Sequence, residues 1–321
     1  MSADLSIIVV NWNAGELLRR CFDSLVAFSP SIEYEIVIVD NASSDDSIVS
    51  LLRSEHARFL IEEQRLFLIL NQDNRGFGAA NNQAFAATRT PLLLLLNPDT
   101  AITELAIDRM VATLRSSTAF GAIGPKLLNA DGSLQISAWR NPPAAWEILL
   151  SQLKLYLLIP RKFRGELLLG GHWDHNRERL VPMLSGAAML VRREVIDDVG
   201  GFDERFHMYG EDNEWCARMV RAGWQLVFQP EAVVIHHGAQ SSLKRWNNLE
   251  KLRVQLESDY LLQQCSLPRR RMIANYVASY FTATMQYLWR WIRGINAPDL
   301  RLAKELHLRH LKESLSSTRS Q

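Results

Sequence analysis

Tyr34–Asp40 reads YEIVIVD, and the seven residues after it, Asn41–Ser47, read NASSDDS. Ile36–Val39 is an unbroken β-branched run, which favours a strand buried on both faces, as in a parallel sheet. The polar segment then opens a helix that the spacing predicts over Ser44–Glu55. Ser43 or Ser44 is read as its N-cap, with Asp45 and Asp46 complementing the helix dipole. Asp40 is read differently. It holds the last strand position, where a carboxylate can accept the imide N–H of a uracil or thymine ring.

The same grammar repeats outward. Leu5–Val10, Leu66–Leu70 and Leu92–Leu96 are short apolar runs, separated by Ala14–Phe28 and Gly76–Thr88, which have helical length and spacing. Strand–helix–strand alternation implies a mostly parallel sheet with right-handed crossovers and helices on both faces, an α/β fold. Such sheets bind ligands beyond the carboxyl ends of their strands. Val10-Asn11-Trp12-Asn13, Asp40-Asn41, Asn71–Asn74 and Asn97-Pro98-Asp99 all fall at such ends, so one site is expected there.

Composition narrows the class. The 321 residues are 47% hydrophobic and 22% charged, which suits one large domain with an appendage and excludes collagen-like, disordered and disulfide-framework proteins. A net charge of +1 excludes a globally basic nucleic-acid binder. The charge is unevenly placed: residues 241–321 hold 14 Lys/Arg against 6 Asp/Glu, so a basic tail follows an acidic body. Cys21, Cys216 and Cys265 are scattered without Cys-x-x-Cys spacing, which fits a reducing compartment. MSADLSIIVVNWN has no basic n-region and is read as a strand rather than a signal peptide. The longest uncharged run, Met272–Trp289, carries Asn275, Ser279, Thr282, Thr284 and Gln286 and is too polar for a span.

The middle of the chain is less legible. Trp146–Ile159 has amphipathic spacing, and Gly165–Asp174 looks like a Gly-rich loop. Order resumes with a strand at Ser185–Val191, a Gly200-Gly201 turn, a helix from Glu211 to about Ala222 and a strand at Ala232–Ile235. Beyond lie three helices: Leu243–Cys265, Arg269–Arg293 and Pro298–Leu315. The expected domains are therefore a catalytic unit over 1–240, with a nucleotide half to about 126 and an acceptor half over 127–240, and a helical extension over 241–321.

Several clusters carry chemistry. Asn74–Asn82 (NRGFGAANN) places small residues at a strand-to-helix turn, where backbone N–H groups can approach a ligand. The third glycine of a dinucleotide fingerprint is missing, which disfavours a nicotinamide cofactor. Asn97-Pro98-Asp99 is either an ordinary turn or a carboxylate ligand for a hard cation, Mg²⁺, or Mn²⁺ if an imidazole joins it. Glu211-Asp212 at a helix start and His236-His237 at a strand end are each ambiguous alone.

Taken in order, SIIVVNWN, IVIVDNASSDDS, NRGFGAANN, LLLLNPDT, SGAAMLVRREVIDDVGGFDERFHMYGEDNEWCARMVRAGW and VVIHHGAQS resemble a family 2 glycosyltransferase of GT-A fold, in its bacterial rhamnosyltransferase-like branch. The likeness runs from Leu5 to about Ser242. It implies that Asp40 reads the donor base, while Val10, Asn11, Gly76 and Asn82 cradle the nucleotide. It implies that Asp99 and His236 hold Mg²⁺ or Mn²⁺ on the diphosphate, and that Asp212 is the catalytic base, kept ionised by the helix dipole. Glu211 would orient the acceptor, and Trp215 would form either an acceptor platform or core.

Two departures stand out: Asn-Pro-Asp replaces the usual Asp-x-Asp, and His207 stands where an aromatic is usual. Processive relatives carry Gln-x-x-Arg-Trp, whereas here four residues separate Gln240 from Arg245-Trp246. The implied activity is inverting, non-processive transfer from a dTDP- or UDP-sugar to a glycan or lipid-linked saccharide, in the cytoplasm or on the inner face of the cell membrane. The basic flanks of Arg269–Arg293 are read as an anionic-membrane contact, or else as packing on protein, including a homodimer through these helices. The competing functions are a sugar-phosphate nucleotidyltransferase, disfavoured by a first turn lacking a cation, and a non-catalytic sugar-nucleotide-binding module.

Overall fold

The structure is a computed structural model describing residues 3–139, 142–206, 208–238 and 247–316, with the side chains of 161 and 162 left aside. His207, Gln240 and Arg245-Trp246 therefore lie outside the described residues. The chain divides into two compact units, Met1–Trp139 with Asp174–Lys244, and Arg140–Trp173 with Arg245–Gln321.

The first unit is built on one sheet. The strands β1 (Leu5–Asn11), β2 (Tyr34–Asp40), β3 (Leu66–Leu70) and β4 (Leu92–Leu96) pair in parallel in the order β3-β2-β1-β4. Helices α1 (Glu16–Ala27), α2 (Ser47–Leu52), α3 (Glu55–Glu62) and α4 (Phe77–Ala87) connect them. This is the expected GT-A arrangement, a sheet with helices packed against it. Leu92–Leu96 is wholly buried, as a central strand must be. Beyond β4 the sheet continues through strands that the sequence hid: β5 (Thr100–Ile102), β6 (Phe120–Leu128), β7 (Leu134–Gln135) and β8 (Arg179–Val181), with helix α5 (Ala106–Arg115) between β5 and β6. Strand β9 (Ala188–Arg192) runs antiparallel to both β4 and β6. It is followed by α8 (Arg193–Val199), α9 (Glu211–Arg221) and β10 (Gln225–His236). Strand β10 is parallel to β6 and bends at a register shift between Gln229 and Val233, so its last residues pair with β5.

Direction decides where the site falls. Because β9 is antiparallel to β4, its start lies at the carboxyl end of β4, with Ala188 opposite Leu96. Because β10 opposes β9 in direction, its end at His236 returns to that same edge.

The second unit is helical: α6 (Ala145–Gln152), α7 (Arg161–Leu168), α10 (Asn248–Ser266), α11 (Arg269–Ile292) and α12 (Pro298–Ser316). Three sequence expectations change here. Residues 140–173 group with the C-terminal helices rather than with an acceptor half, because their bonds lie there. Asn275 Nδ2 donates to Pro143 O at 2.8 Å, and Gln286 Nε2 to Gln152 O at 2.9 Å. The helix expected over Trp146–Ile159 breaks at Lys154, whose φ is +57°, and resumes as a 3₁₀ turn at Leu155–Leu158. Gly165, read as part of a loop, lies inside α7. Its bare Cα faces His172 O, which an added Cβ would meet at 3.0 Å. Among the described residues no helix is long and apolar enough to cross a membrane.

Candidate active site

Three of the polar strand ends are tied into one network. Asn11 and Asp40 are register partners at the ends of β1 and β2, and both are buried. Asn11 Nδ2 donates to Asp40 Oδ1 at 2.7 Å, and the same oxygen accepts from Ser43 Oγ at 2.6 Å. Asp40 Oδ2 accepts Ser43 N–H at 3.0 Å, which leaves one lone-pair position on that oxygen for a base imide. Asn71 Nδ2 donates to Asn41 Oδ1, and Asn41 Nδ2 to the carbonyl of Gly76. Gly76, with φ +88°, makes the left-handed turn into α4 that a side chain would strain. The ladder between β1 and β4 ends at Val9–Leu96, so Val10 and Asn11 extend past β4 at this edge.

Three residues of this end have other work. Ser43 and Ser44 are not helix caps: α2 starts at Ser47 after Asp46, which makes no side-chain cap bond. Instead Ser43 Oγ accepts Asn13 N–H and Asn13 Oδ1 accepts Ser44 N–H, joining the two strand-end loops. Asn82 commits both amide atoms elsewhere. Its Oδ1 accepts Phe202 N–H at 2.8 Å and its Nδ2 donates to Phe202 O at 2.9 Å. A Cβ on Gly201 would lie 2.2 Å from Asn82 Oδ1, so this clamp requires glycine there. Asn82 thus anchors the loop leading to α9, in place of the nucleotide contact expected of it.

Asp99 and His236, 137 positions apart, meet because β5 pairs with the end of β10, Thr100 opposite His236. His236 Nε2 lies 3.2 Å from Asp99 Oδ1, and His237 N–H donates to Asp99 O at 2.9 Å. A carboxylate oxygen and an imidazole nitrogen this close are a donor pair suited to Mn²⁺ or Mg²⁺ completed by diphosphate oxygens. Among the described residues no group of three or more His, Cys, Asp or Glu could hold a metal, and Asp99 with His236 is the pair that the strand pairing brings together.

The second pair sits at the start of α9. Gly210, φ +88°, turns the chain so that Glu211 opens the helix buried and Asp212 follows half-buried. The dipole was expected to keep Asp212 ionised, but desolvation works the other way. Burial pushes both carboxyls up, and the neighbouring Asp212 charge helps lift Glu211 to about 8. Hydrogen bonds divide the roles. Asp212 Oδ2 accepts Gly186 N–H at 3.0 Å, and Oδ1 accepts Asn213 N–H at 2.8 Å and Asn213 Nδ2 at 2.9 Å. Glu211 Oε2 is buried without a partner. Donors favour the charged form, so Glu211 holds the proton of the pair and Asp212 the charge.

Gly186, which carried no functional weight in the sequence, is what permits this. A Cβ there would lie 3.3 Å from Asp212 Cβ. The residue beside it, Ala187, accepts Asn97 N–H at 2.9 Å, so the Gly186-Ala187 turn bridges Asp212 to the segment carrying Asp99.

Trp215 is core, not an acceptor platform. It is fully buried, its Nε1–H donates to Gly200 O, and its ring packs on Phe202 and Phe85 with centroids 4.5 and 5.7 Å away. No ring face remains for a sugar. Trp215→Ala is expected to cost about 3–5 kcal/mol of stability, read by urea denaturation, with acceptor KM unchanged in the folded fraction.

A parallel β3-β2-β1-β4 half, an antiparallel β9, and a β10 that returns an imidazole to the carboxyl edge define a GT-A glycosyltransferase. Solved structures bear out the fold. A GalNAc-T7 structure with UDP, GalNAc and Mn²⁺ aligns at TM-score 0.59 and 15% identity, covering 99% of this chain and 56% of that one. A mannosyltransferase from Pyrobaculum calidifontis, in complex with GDP-Man and Mn²⁺, aligns at 0.54 and 13%, covering 99% and 89%. The chain belongs to glycosyltransferase family 2: the family model described as "Glycosyltransferase like family 2" matches residues 3–294. It is similar to an N-acetylglucosaminyl-diphospho-decaprenol L-rhamnosyltransferase of Mycobacterium tuberculosis, 28% identical over 269 residues that cover 75% of this chain and 78% of the relative. It is also similar to a low-salt glycan biosynthesis hexosyltransferase of Haloferax volcanii, 27% identical over 69% of this chain and 63% of the relative. The protein is thus a sugar-transferring enzyme.

Proposed function

We propose that this enzyme carries out inverting, metal-dependent, non-processive transfer of rhamnose from dTDP-rhamnose, or of a hexose from a UDP-sugar, to a glycan or lipid-linked saccharide in cell-surface polysaccharide synthesis. The observation that supports the reading is the Gly186-Ala187 bridge, which links Asp212 by two hydrogen bonds to Asn97, two residues before Asp99 of the Asp99–His236 pair. The name of the Mycobacterium tuberculosis relative supports rhamnose and a diphospholipid-linked acceptor.

Asp212 takes the proton from the acceptor hydroxyl as its oxygen attacks the anomeric carbon from the face opposite the leaving group. Asp40 and the ends of β1 and β2 hold the base, and the Gly76 turn holds the nucleotide. Glu211 lies beside the base where the acceptor is oriented. Asp99 and His236 would hold the divalent cation, which when bound neutralises charge growing on the departing nucleoside diphosphate. One displacement inverts the anomeric centre. Transfer from dTDP-rhamnose to a synthetic GlcNAc-diphospholipid, with the product's anomeric configuration read by NMR, tests this. Retention of configuration, or hydrolysis of donor without transfer, would overturn it.

A lipid-linked acceptor places the enzyme at the inner face of the cell membrane, and α11 offers a surface for that. Its exposed side chains are arginine or apolar throughout. Arg270 and Arg271 lead, Val277, Phe281, Met285, Leu288 and Ile292 follow at helical spacing, and Trp289 and Trp291 flank the end. Trp291 is 68% exposed and Ile292 76%. The helix contains no acidic residue. Arg293 lies over the Trp289 ring at 4.0 Å, while Arg269 instead donates to Ser314 O and Leu315 O. A basic-and-apolar stripe complements an anionic bilayer. Co-sedimentation with anionic vesicles is expected to weaken about fivefold per arginine when Arg270 and Arg271 become Gln. Binding indifferent to anionic lipid, or a dimer that buries this face, would refute the membrane contact.

A further inference from the structure

The direction of each hydrogen bond behind His236 can be traced from one carboxylate. The β6–β7 hairpin turns at Asn129–Ser133, closed by Asn129 N–H to Ser133 O at 2.8 Å. Asp131 accepts Ser133 Oγ at 2.6 Å and Ser133 N–H at 2.9 Å, and these bonds hold its carboxyl below the usual range, so it acts only as an acceptor. Ser133 has one hydroxyl proton and gives it to Asp131. Toward Asn129 Nδ2, at 2.9 Å, it can therefore only accept. Asn129 then presents Oδ1 to Gln135 Nε2 at 3.0 Å, which leaves Gln135 Oε1 facing His236 Nδ1 at 2.6 Å. An oxygen at that place requires a proton on Nδ1. In the neutral ring the lone pair is then on Nε2, facing Asp99 Oδ1 at 3.2 Å, with Asn97 Nδ2 at 3.4 Å. Two acceptors turned toward each other repel, and a divalent cation held between them turns that repulsion into attraction.

We infer that Gln135 is a positioning residue of this site: the one-way chain Asp131–Ser133–Asn129–Gln135 fixes the His236 proton on Nδ1 and keeps Nε2 bare for a divalent cation shared with Asp99. The inference rests on the reading of Asp99 and His236 as metal ligands, and it adds the groups that make the histidine a ligand instead of a donor to Asp99. An acceptor behind a ligating imidazole fixes its tautomer and raises its basicity. Gly238 contributes by being small, because a Cβ there would lie 3.2 Å from Gln135 Nε2. Gln135 sits in a two-residue strand and lacks any sequence motif, so only the fold shows its role.

The test is the ring's protonation in metal-free, ¹⁵N-labelled protein, observed with the imidazole neutral and assigned by loss of the signal in His236→Gln. Wild type and Gln135→Glu are expected to carry the proton on Nδ1. Gln135→Lys, which puts a donor in place of the acceptor, is expected to move it to Nε2. Mn²⁺ titration in the presence of dTDP, followed by electron paramagnetic resonance, gives the second readout. Affinity should stay within a few-fold in Gln135→Glu and fall about 10- to 100-fold in Gln135→Lys and Gln135→Leu. A wild-type ring protonated at Nε2 overturns the inference without recourse to any variant. So does a Gln135→Lys protein whose ring signature and Mn²⁺ affinity match wild type. If wild type binds no Mn²⁺ with dTDP, the metal reading falls, and the ring signature still decides the role of Gln135.

Discussion

Asp212→Asn is expected to bind donor nucleotide with near wild-type affinity and to lose on the order of 10²–10⁴-fold in the rate of sugar transfer. The amide keeps the carboxylate's shape and can still accept Gly186 N–H through its oxygen, the bond Asp212 makes at 3.0 Å. It cannot take a proton. The Asn213 donors at 2.8 and 2.9 Å force that oxygen to serve one side only, so a small loss of stability accompanies the change. Donor-binding calorimetry beside single-turnover transfer separates the two effects. A near wild-type single-turnover rate would place the base elsewhere.

Glu211→Gln is the companion measurement, expected to raise acceptor KM more than it slows the chemical step. The Glu211 carboxyl, lifted to about 8 by burial and by the charge of Asp212, binds a proton in the fold that the unfolded chain releases near its ordinary 4.5. Between those values the folded state binds more protons, so this group's contribution makes stability fall as pH rises. An amide does not titrate, and the variant should show a flatter stability profile between about pH 4.5 and 8 by denaturant titration. Together the two variants separate the residue that accepts a proton from the one that keeps one.

The parallel half of the sheet was legible because its information is local. Ile36–Val39 and Leu92–Leu96 are apolar enough to be buried on both faces, and each polar cluster follows its strand at once. Strand β6 was not legible for the same physical reason in reverse. Its sequence FGAIGPKLL carries Gly121, Gly124 and Pro125, which read as breakers. The fold needs those glycines for close approach: a Cβ on Gly124 would lie 2.4 Å from Leu184 Cδ2. Trp215 could not be assigned from spacing, since a helix presents the same pattern whether the indole faces a sugar or the aromatic pair Phe85 and Phe202. Gln135 matters through a partner 101 positions away and Gly186 through one 26 positions away, and no local pattern encodes that.

Replacing Asp99 or His236 with Ala should lower transfer by roughly 10²–10³-fold, the equivalent of the several kcal/mol that a Lewis acid contributes to a departing phosphate. EDTA should abolish wild-type activity, and Mn²⁺ or Mg²⁺ should restore it. Neither substitution should unfold the protein. The side chains retain 12% and 13% exposure at strand ends, and the backbone bond from His237 N–H to Asp99 O survives both changes. The two variants should also differ in a way that exposes their geometry. Loss of His236 leaves Gln135 Oε1 without its donor and Asp99 as the remaining member of the proposed ligand pair, so excess metal should recover part of the rate. Loss of Asp99 removes the charged ligand and leaves a neutral ring, from which little recovery is expected. Steady-state rates over a Mn²⁺ series, with dTDP-binding calorimetry at each concentration, separate weaker metal affinity from a slower step. Full activity of His236→Ala in chelator would mean that the histidine only packs against Asp99, and that the charge on the leaving diphosphate is met by other groups.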